Sequence, residues 1–204
     1  MKIGIISDSH DDIENVQEAI QIFNQNKVEY VIHAGDYVFP GIIKEFSKLN
    51  AKLIGVFGNN DGERNGILKS FIDINGELKG EIGDIEIDNI KFGIYHGTDK
   101  EIKERIISNN RYDVLICGHT HKREPNNSGK IEKDNNKNTL ILNPGSAHRK
   151  STSLSGAFSE IGRILLFDTQ SKKYEFVDLL KWKKKKYKII EMHHTKWYLN
   201  FFTR

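Results

Sequence analysis

Six short apolar runs, each closing in a polar turn, constrain this chain more than any other feature. KIGIIS runs into Asp8-Ser9-His10, VEYVIHA into Gly35-Asp36, and AKLIGVF into Gly58-Asn59-Asn60-Asp61. IKFGIY runs into His96-Gly97, YDVLIC into Gly118-His119-Thr120-His121, and TLIL into Asn143-Pro144-Gly145-Ser146. Each run is rich in β-branched and aromatic residues and nearly continuous rather than alternating. Strands covered on both faces look this way, because neither set of side chains meets water.

Helical periodicity falls between several of these runs. Residues 12–26 put Ile13, Val16, Ala19, Ile20 and Phe23 on one face, with Asp11 and Glu14 spaced as an N-cap and its N3 partner. Residues 41–49 and 99–109 read as weaker helices, the second with Thr98 and Glu101 at capping-box spacing. IGRILLF and KYEFVDLL read as a hairpin, and DIEID at 84–88 as a further strand. The polar segment 126–138 reads as a surface loop with room for a short strand. Strands alternating with helices point to an open α/β sheet, in which ligands bind beyond the carboxyl ends of the strands. All six turns lie at such ends and are expected to converge on one edge.

The residues delivered to that edge are Asp8, His10, Asp36, Asn59, His96, His119 and His121. Asp8/His10 and His119/His121 are spaced i, i+2, so on extended backbone both members of a pair face the same way. Seven oxygen and imidazole donors exceed the needs of one tetrahedral metal. They suit two metals that keep open positions for water. Two close cations need a carboxylate between them, and Asp36, preceded by a turn-making glycine, is the natural bridge. Mixed nitrogen and oxygen donors suit Mn, Fe, Ni or Zn better than Ca or a thiolate-selected ion. A lone Asp or Asn after a strand is commonly just a turn former. Seven donors at five successive strand ends are hard to explain that way.

Composition sets the remaining bounds. The 204 residues suit one domain with a tail, long enough to bury a core without disulfides. The single Cys117 lies in an apolar run, which fits a buried thiol and a reducing cytoplasm. MKIGIISDSH enters a strand-like run at once, so no secretory leader is expected, and no apolar segment approaches the ~20 residues of a membrane helix. Of 31 basic and 28 acidic side chains, eight and one fall in residues 181–204, leaving 23 and 27 in residues 1–180. The expected division is therefore one folded domain over 1–180 and a basic, aromatic-containing extension over 181–204. Such an extension attracts nucleic acid or an anionic surface, or else is a solvated or loosely docked tail. Its Trp182, Trp197, Tyr198, Leu199, Phe201 and Phe202 argue for packing on the body or in a homodimer contact.

The ordered set D-x-H, G-D, G-N-x-[DE], H-G and G-H-T-H, spanning residues 3 to 147, resembles the calcineurin-like metallophosphoesterase superfamily, specifically its small single-domain prokaryotic phosphodiesterase branch. The resemblance implies a β-sandwich of two mixed sheets flanked by helices, in four layers α/β/β/α. It implies a first metal on Asp8, His10, Asp36 and His121 and a second on Asp36, Asn59, His96 and His119. The implied reaction is phosphodiester hydrolysis, with a metal-bridging hydroxide attacking phosphorus in line on a small phosphodiester substrate. The histidines bind metal as neutral imidazoles, so activity is expected to fall at acidic pH.

The chain departs from many relatives at Asn60, where they carry His. An amide hydrogen-bonds but donates no proton near neutral pH, which points toward diesters rather than monoesters. Asn60 and Asp61 complete the catalytic set, Asp61 as a local hydrogen-bonding support. Arg64 and Arg149 are candidate bidentate phosphate clamps whose alternative is plain surface charge. His33 reads as a core or supporting residue, and the turn at Asn143–Ser146 as a wall of the site. Two other functions fit the same residues. One is a non-catalytic interaction module, since a retromer subunit of this fold is a scaffold. The other is a nuclease that uses the basic tail.

Overall fold

A computed structural model describes residues 1–125, 129–130, 139–151 and 158–180 of the chain. The strands are β1 (Lys2–Ile6), β2 (Tyr30–His33), β3 (Lys52–Gly55), β4 (Glu77–Leu78), β5 (Ile82–Ile87), β6 (Ile90–Tyr95) and β7 (Val114–Ile116). They continue as β8 (Arg123–Glu124), β9 (Gly129–Lys130), β10 (Leu140–Pro144), β11 (Lys150–Ser151), β12 (Phe158–Glu160), β13 (Arg163–Asp168) and β14 (Lys173–Asp178). The helices are α1 (Ile13–Gln25), α2 (Pro40–Glu45), α3 (Arg64–Asp73) and α4 (Lys100–Ser108), with a 3-10 turn at Phe46–Lys48.

The six apolar runs do not join one sheet. β1, β2 and β3 pair in parallel, in a seven-stranded sheet ordered β4-β3-β2-β1-β13-β14-β9. β6, β7 and β10 pair in parallel in a second sheet ordered β5-β6-β7-β10-β8. The single open sheet expected from periodicity is thus two mixed sheets packed face to face. Ile3, Ile5, Ile32 and Ile54 of the first meet Phe92, Ile94, Val114, Ile116 and Leu142 of the second in one buried cluster. Helices α1 to α3 cover the outer face of the first sheet through Val16, Ala19, Phe23, Ile42, Ile43, Ile67 and Phe71. α4 covers the second through Ile106 and Ile107 against Tyr95 and Leu115. Each run is therefore apolar on both faces because one meets the other sheet and the other meets helices.

Local details differ from expectation in physically readable ways. The cap of α1 is Asp12, whose carboxylate accepts from the Asn15 N–H at 3.1 Å. Asp11 instead adopts φ +56° and accepts from the Phe39 N–H at 3.3 Å. Ile13 is not in the core at 49% exposure, and Asn15 takes a place in the buried stripe by donating to the Ala147 carbonyl at 2.7 Å. α4 is capped by Asp99 rather than Thr98. Helix α3 has no clear periodic signal, because it buries only Ile67, Ser70 and Phe71. β13 and β14 form the expected antiparallel hairpin. The expected extension over 181–204 lies outside the described residues. Among the described residues no helix is long and apolar enough to cross a membrane.

Candidate metal centre

The parallel strands of both sheets deliver their carboxyl ends to a shared edge, and backbone strain concentrates there. Asp8 (φ +52°), His10 (+39°), Asp36 (+60°), His119 (+66°) and His121 (+58°) are all left-handed. Such residues persist only where their surroundings overdetermine them. The Asp8 N–H donates to the Gly35 carbonyl at 3.0 Å and the His10 N–H to the Asp36 carbonyl at 3.2 Å. The His119 N–H donates to both Asp8 carboxylate oxygens at 3.2 and 3.1 Å, and the Ser146 hydroxyl to the Asp8 carbonyl at 2.9 Å. Two glycines permit the close approach of β2 and β3. A Cβ on Gly58 would fall on the Asp36 carboxylate, and one on Gly35 would sit 2.6 Å from the Gly58 nitrogen.

This turn geometry corrects the extended-backbone reading of the i, i+2 pairs. His10 and Asp8 do meet, with Nε2 3.8 Å from Asp8 Oδ1. His119 and His121 separate. The His121 Nε2 lies 3.3 Å from His10 Nε2 and 3.2 Å from Asp8 Oδ1, whereas the exposed His119 ring packs edge-on against His96 at 5.3 Å. Asp36 sits between the two sides: its Oδ2 is 3.6 Å from His10 Nε2 and 3.3 Å from His96 Nε2. The exposed Asn59 accepts from the Thr98 hydroxyl at 3.3 Å. Ligand atoms of Asp8, His10 and His121, and of Asp8, Asp36 and His96, form two groups compact enough to hold a metal ion.

The donor set calls for a cation. Asp8 and Asp36 are buried at 0% and 1% exposure, and their ion-pair partners among the described residues are imidazoles only. Two buried carboxylates without a fixed positive charge are costly unless a proton or metal offsets them. The His96 Nδ1 lies 2.7 Å from the Ala34 carbonyl, so it carries the proton and Nε2 keeps its lone pair toward the carboxylates. That Nε2 is buried without a hydrogen-bond partner among the described residues. Burial alone would lower the proton affinity of His96, but Asp36 and Asp8 outweigh it and raise it. Burial lowers His10 despite the same two carboxylates. Burial opposes the charge on Asp36 too, yet His96 and the two Asn60 donors hold its carboxyl well below the usual range. Ionised carboxylates with imidazole nitrogens turned toward them fit a divalent metal, which would take the place of the protons these groups otherwise share.

Asn60 grips that carboxylate twice, its backbone N–H donating to Asp36 Oδ1 at 2.8 Å and its side-chain amide to Oδ2 at 2.7 Å. Asp61 takes the place of a hydrogen-bonding support, as expected of it from the sequence. It is buried, and its two oxygens accept the backbone N–H groups of Tyr37 (2.7 Å), Val38 (2.9 Å), Asp36 (3.0 Å) and Gly58 (2.6 Å), so it positions two ligand loops. The expected phosphate clamps are engaged elsewhere. Arg64 pairs with Glu81 and stacks over Phe57 at 4.7 Å. Arg149 pairs with Asp12 at 3.1 Å and Glu14 at 2.9 Å, at the start of α1. His33 is fully buried under the β2 loop, with Nε2 3.1 Å from the Ser9 hydroxyl and Nδ1 accepting from the Gly35 N–H at 3.2 Å. Asn143 braces the Gly118-His119-Thr120-His121 turn by donating to the Gly118 carbonyl at 2.7 Å. One neighbour had no sequence signal: His148, whose ring meets His10 edge-on at 5.8 Å. It lies outside the recurring turn pattern, two residues past Ser146.

Comparison with known proteins fits this geometry. Residues 1–172 match the calcineurin-like phosphoesterase superfamily domain. The chain belongs to that superfamily. This phosphoesterase is 41% identical over 180 residues to phosphodiesterase MJ0936 of Methanocaldococcus jannaschii, covering 88% of this chain and 99% of the relative. A solved archaeal phosphodiesterase, also 41% identical, superposes with a TM-score of 0.73 over 88% of this chain and 100% of the other. The Entamoeba histolytica Vps29 structure, solved with zinc, shares the fold at 21% identity and a TM-score of 0.59, covering 88% of this chain and 99% of that one. The chain is a metal-dependent phosphoester hydrolase of the small prokaryotic branch of its superfamily.

Proposed function

We propose that this phosphoesterase hydrolyses phosphodiesters with two divalent ions, Mn foremost, and a hydroxide generated between them. Asp8, His10, Asp36 and His121 would hold one ion, and Asp36, Asn59, His96 and His119 the other. The observation that carries this reading is the Asp36 carboxylate, whose Oδ2 faces His10 on one side and His96 on the other at 3.6 and 3.3 Å. Bound ions would acidify water and offset the charge that grows on the phosphoryl oxygens. The protein's own part is to fix the His96 tautomer through the Ala34 carbonyl, leaving Nε2 aimed at the carboxylates, and to keep Asp36 ionised through the Asn60 donors.

Two observations favour diesters over monoesters. Asn60 has no proton to give a poor leaving group, which forgoes roughly 10²–10⁴ in rate where general-acid help is needed. Arg64 and Arg149 are both committed to carboxylates, so neither is a ready partner for the second negative charge of a monoester. The phosphodiesterase relative at 41% identity supports the same choice. The test is a matrix on metal-stripped protein: Mn, Ni, Mg and Zn against aryl diesters, aryl monoesters and cyclic nucleotides. Mn-dependent turnover of aryl diesters, well above that of monoesters, is expected. No turnover in any combination would sink the proposal.

A further inference from the structure

A large apolar side chain stands in solvent on the loop that carries the proposed ligand Asp36. Phe39 is 59% exposed, three residues after Asp36, and its backbone N–H is tied at 3.3 Å to the carboxylate of Asp11, the neighbour of His10. Its own backbone is extended (φ −119°, ψ +149°), the conformation that the following Pro40 enforces. On its other side Val38 is left-handed at φ +81°, a conformation that β-branched residues rarely adopt. Asp61 holds Val38 there by accepting its N–H at 2.9 Å. The ring is therefore displayed by a backbone fixed on both sides rather than left over at a loose loop, and a fixed aromatic loses little freedom on binding.

We infer that Phe39 is the platform for a planar aromatic group, a nucleoside base or aryl ring, carried by the non-leaving arm of the diester. This rests on the phosphodiesterase reading and names the substrate class within it. The proposed metal donors account for the phosphoryl oxygens and say nothing about the organic arms, whereas an exposed aromatic on the loop that carries Asp36 selects flat, polarisable ones. Phe39 acts here by binding, and it takes no part in bond making.

The test compares two substrates with the same leaving group, thymidine 5′-(4-nitrophenyl) phosphate and methyl 4-nitrophenyl phosphate, on the Mn-loaded full chain. In Phe39→Ala the ratio of kcat/KM for the thymidine diester over the methyl diester is expected to fall about 5- to 10-fold, carried by KM. Phe39→Trp is expected to restore the ratio. Inhibition by thymidine 5′-monophosphate should weaken by a similar factor relative to inhibition by inorganic phosphate. An unchanged ratio in Phe39→Ala, with both substrates slowed equally or neither affected, overturns the platform and leaves the phosphodiesterase reading standing. Failure of the wild-type chain to turn over either diester overturns that underlying reading instead.

Discussion

Replacing Asp61 with Asn tests whether this carboxylate acts by its charge or by its capacity to accept hydrogen bonds. Its Oδ1 accepts from Tyr37 and Val38 at 2.7 and 2.9 Å, and its Oδ2 from Asp36 and Gly58 at 3.0 and 2.6 Å. Burial pushes the Asp61 carboxyl above its ordinary range despite these donors, so loss of the charge alone is not the costly event. An amide has one accepting oxygen. In either orientation two backbone N–H groups face an NH2 instead, and each buried orphan costs about 1–3 kcal/mol. The substitution is expected to destabilise the fold by about 2–6 kcal/mol. At about 2–4 °C per kcal/mol for a domain of this size, the midpoint of thermal unfolding should drop by about 10 °C. The freed pair is Asp36 and Gly58 in one orientation and Tyr37 and Val38 in the other, and each pair takes in the loop of the proposed ligand Asp36, so Mn affinity should fall about 10–100-fold as well. Circular-dichroism melting of metal-stripped protein and calorimetric Mn titration read the two effects. A midpoint within about 2 °C of wild type together with unchanged Mn affinity would refute the reasoning.

Three further outcomes are expected. His33 is fully buried, and burial pushes its pKa down to about 3, so only the unfolded chain takes up its proton between pH 6.5 and 3. The unfolded state then binds more protons, and stability should fall with falling pH in that window by about 1.4 kcal/mol per unit from this residue. Urea unfolding of metal-stripped His33→Asn should lack that share of the slope, and a slope equal to wild type would count against the assignment. Asn60→His should raise the rate on aryl monoesters relative to diesters or introduce a new limb in the pH–rate profile, measured on both classes; identical kinetics on both would show that position 60 does not discriminate. Asp36→Asn should reduce Mn binding to fewer than two ions per chain by elemental analysis and lower diester turnover by at least ~100-fold, whereas two retained ions would rule out Asp36 as the bridge.

Strand identity, ligand chemistry and family were legible in the sequence because each depends on near neighbours. A continuous β-branched run ending in Asp-x-His or Gly-Asp states both that a strand is covered on two faces and what it offers at its end. The proposed ligands come from five such ends, and the structure gathers five of these residues into two compact groups, Asp8, His10 and His121, and Asp8, Asp36 and His96. Features set by distant partners could not be read the same way. Two sheets replace one because β6, β7 and β10 pair with each other rather than with β1 to β3, a choice made by pairings such as Phe92 with Val114 and Ile3 with Phe167 that no local window contains. His119 and His121 diverge because left-handed turns replace extended backbone, and those turns are held by bonds to Asp8 from across the molecule. Arg64 and Arg149 looked like phosphate clamps until Glu81, Asp12 and Glu14 arrived beside them. Asp61 read as a local hydrogen-bonding support, but its four N–H partners include three from the distant Asp36 loop. The local chain determined which donors were available. Only long-range packing decided how they are aimed, since a side chain's direction depends on the hydrogen bonds that lock its backbone, and here those bonds come from other strands.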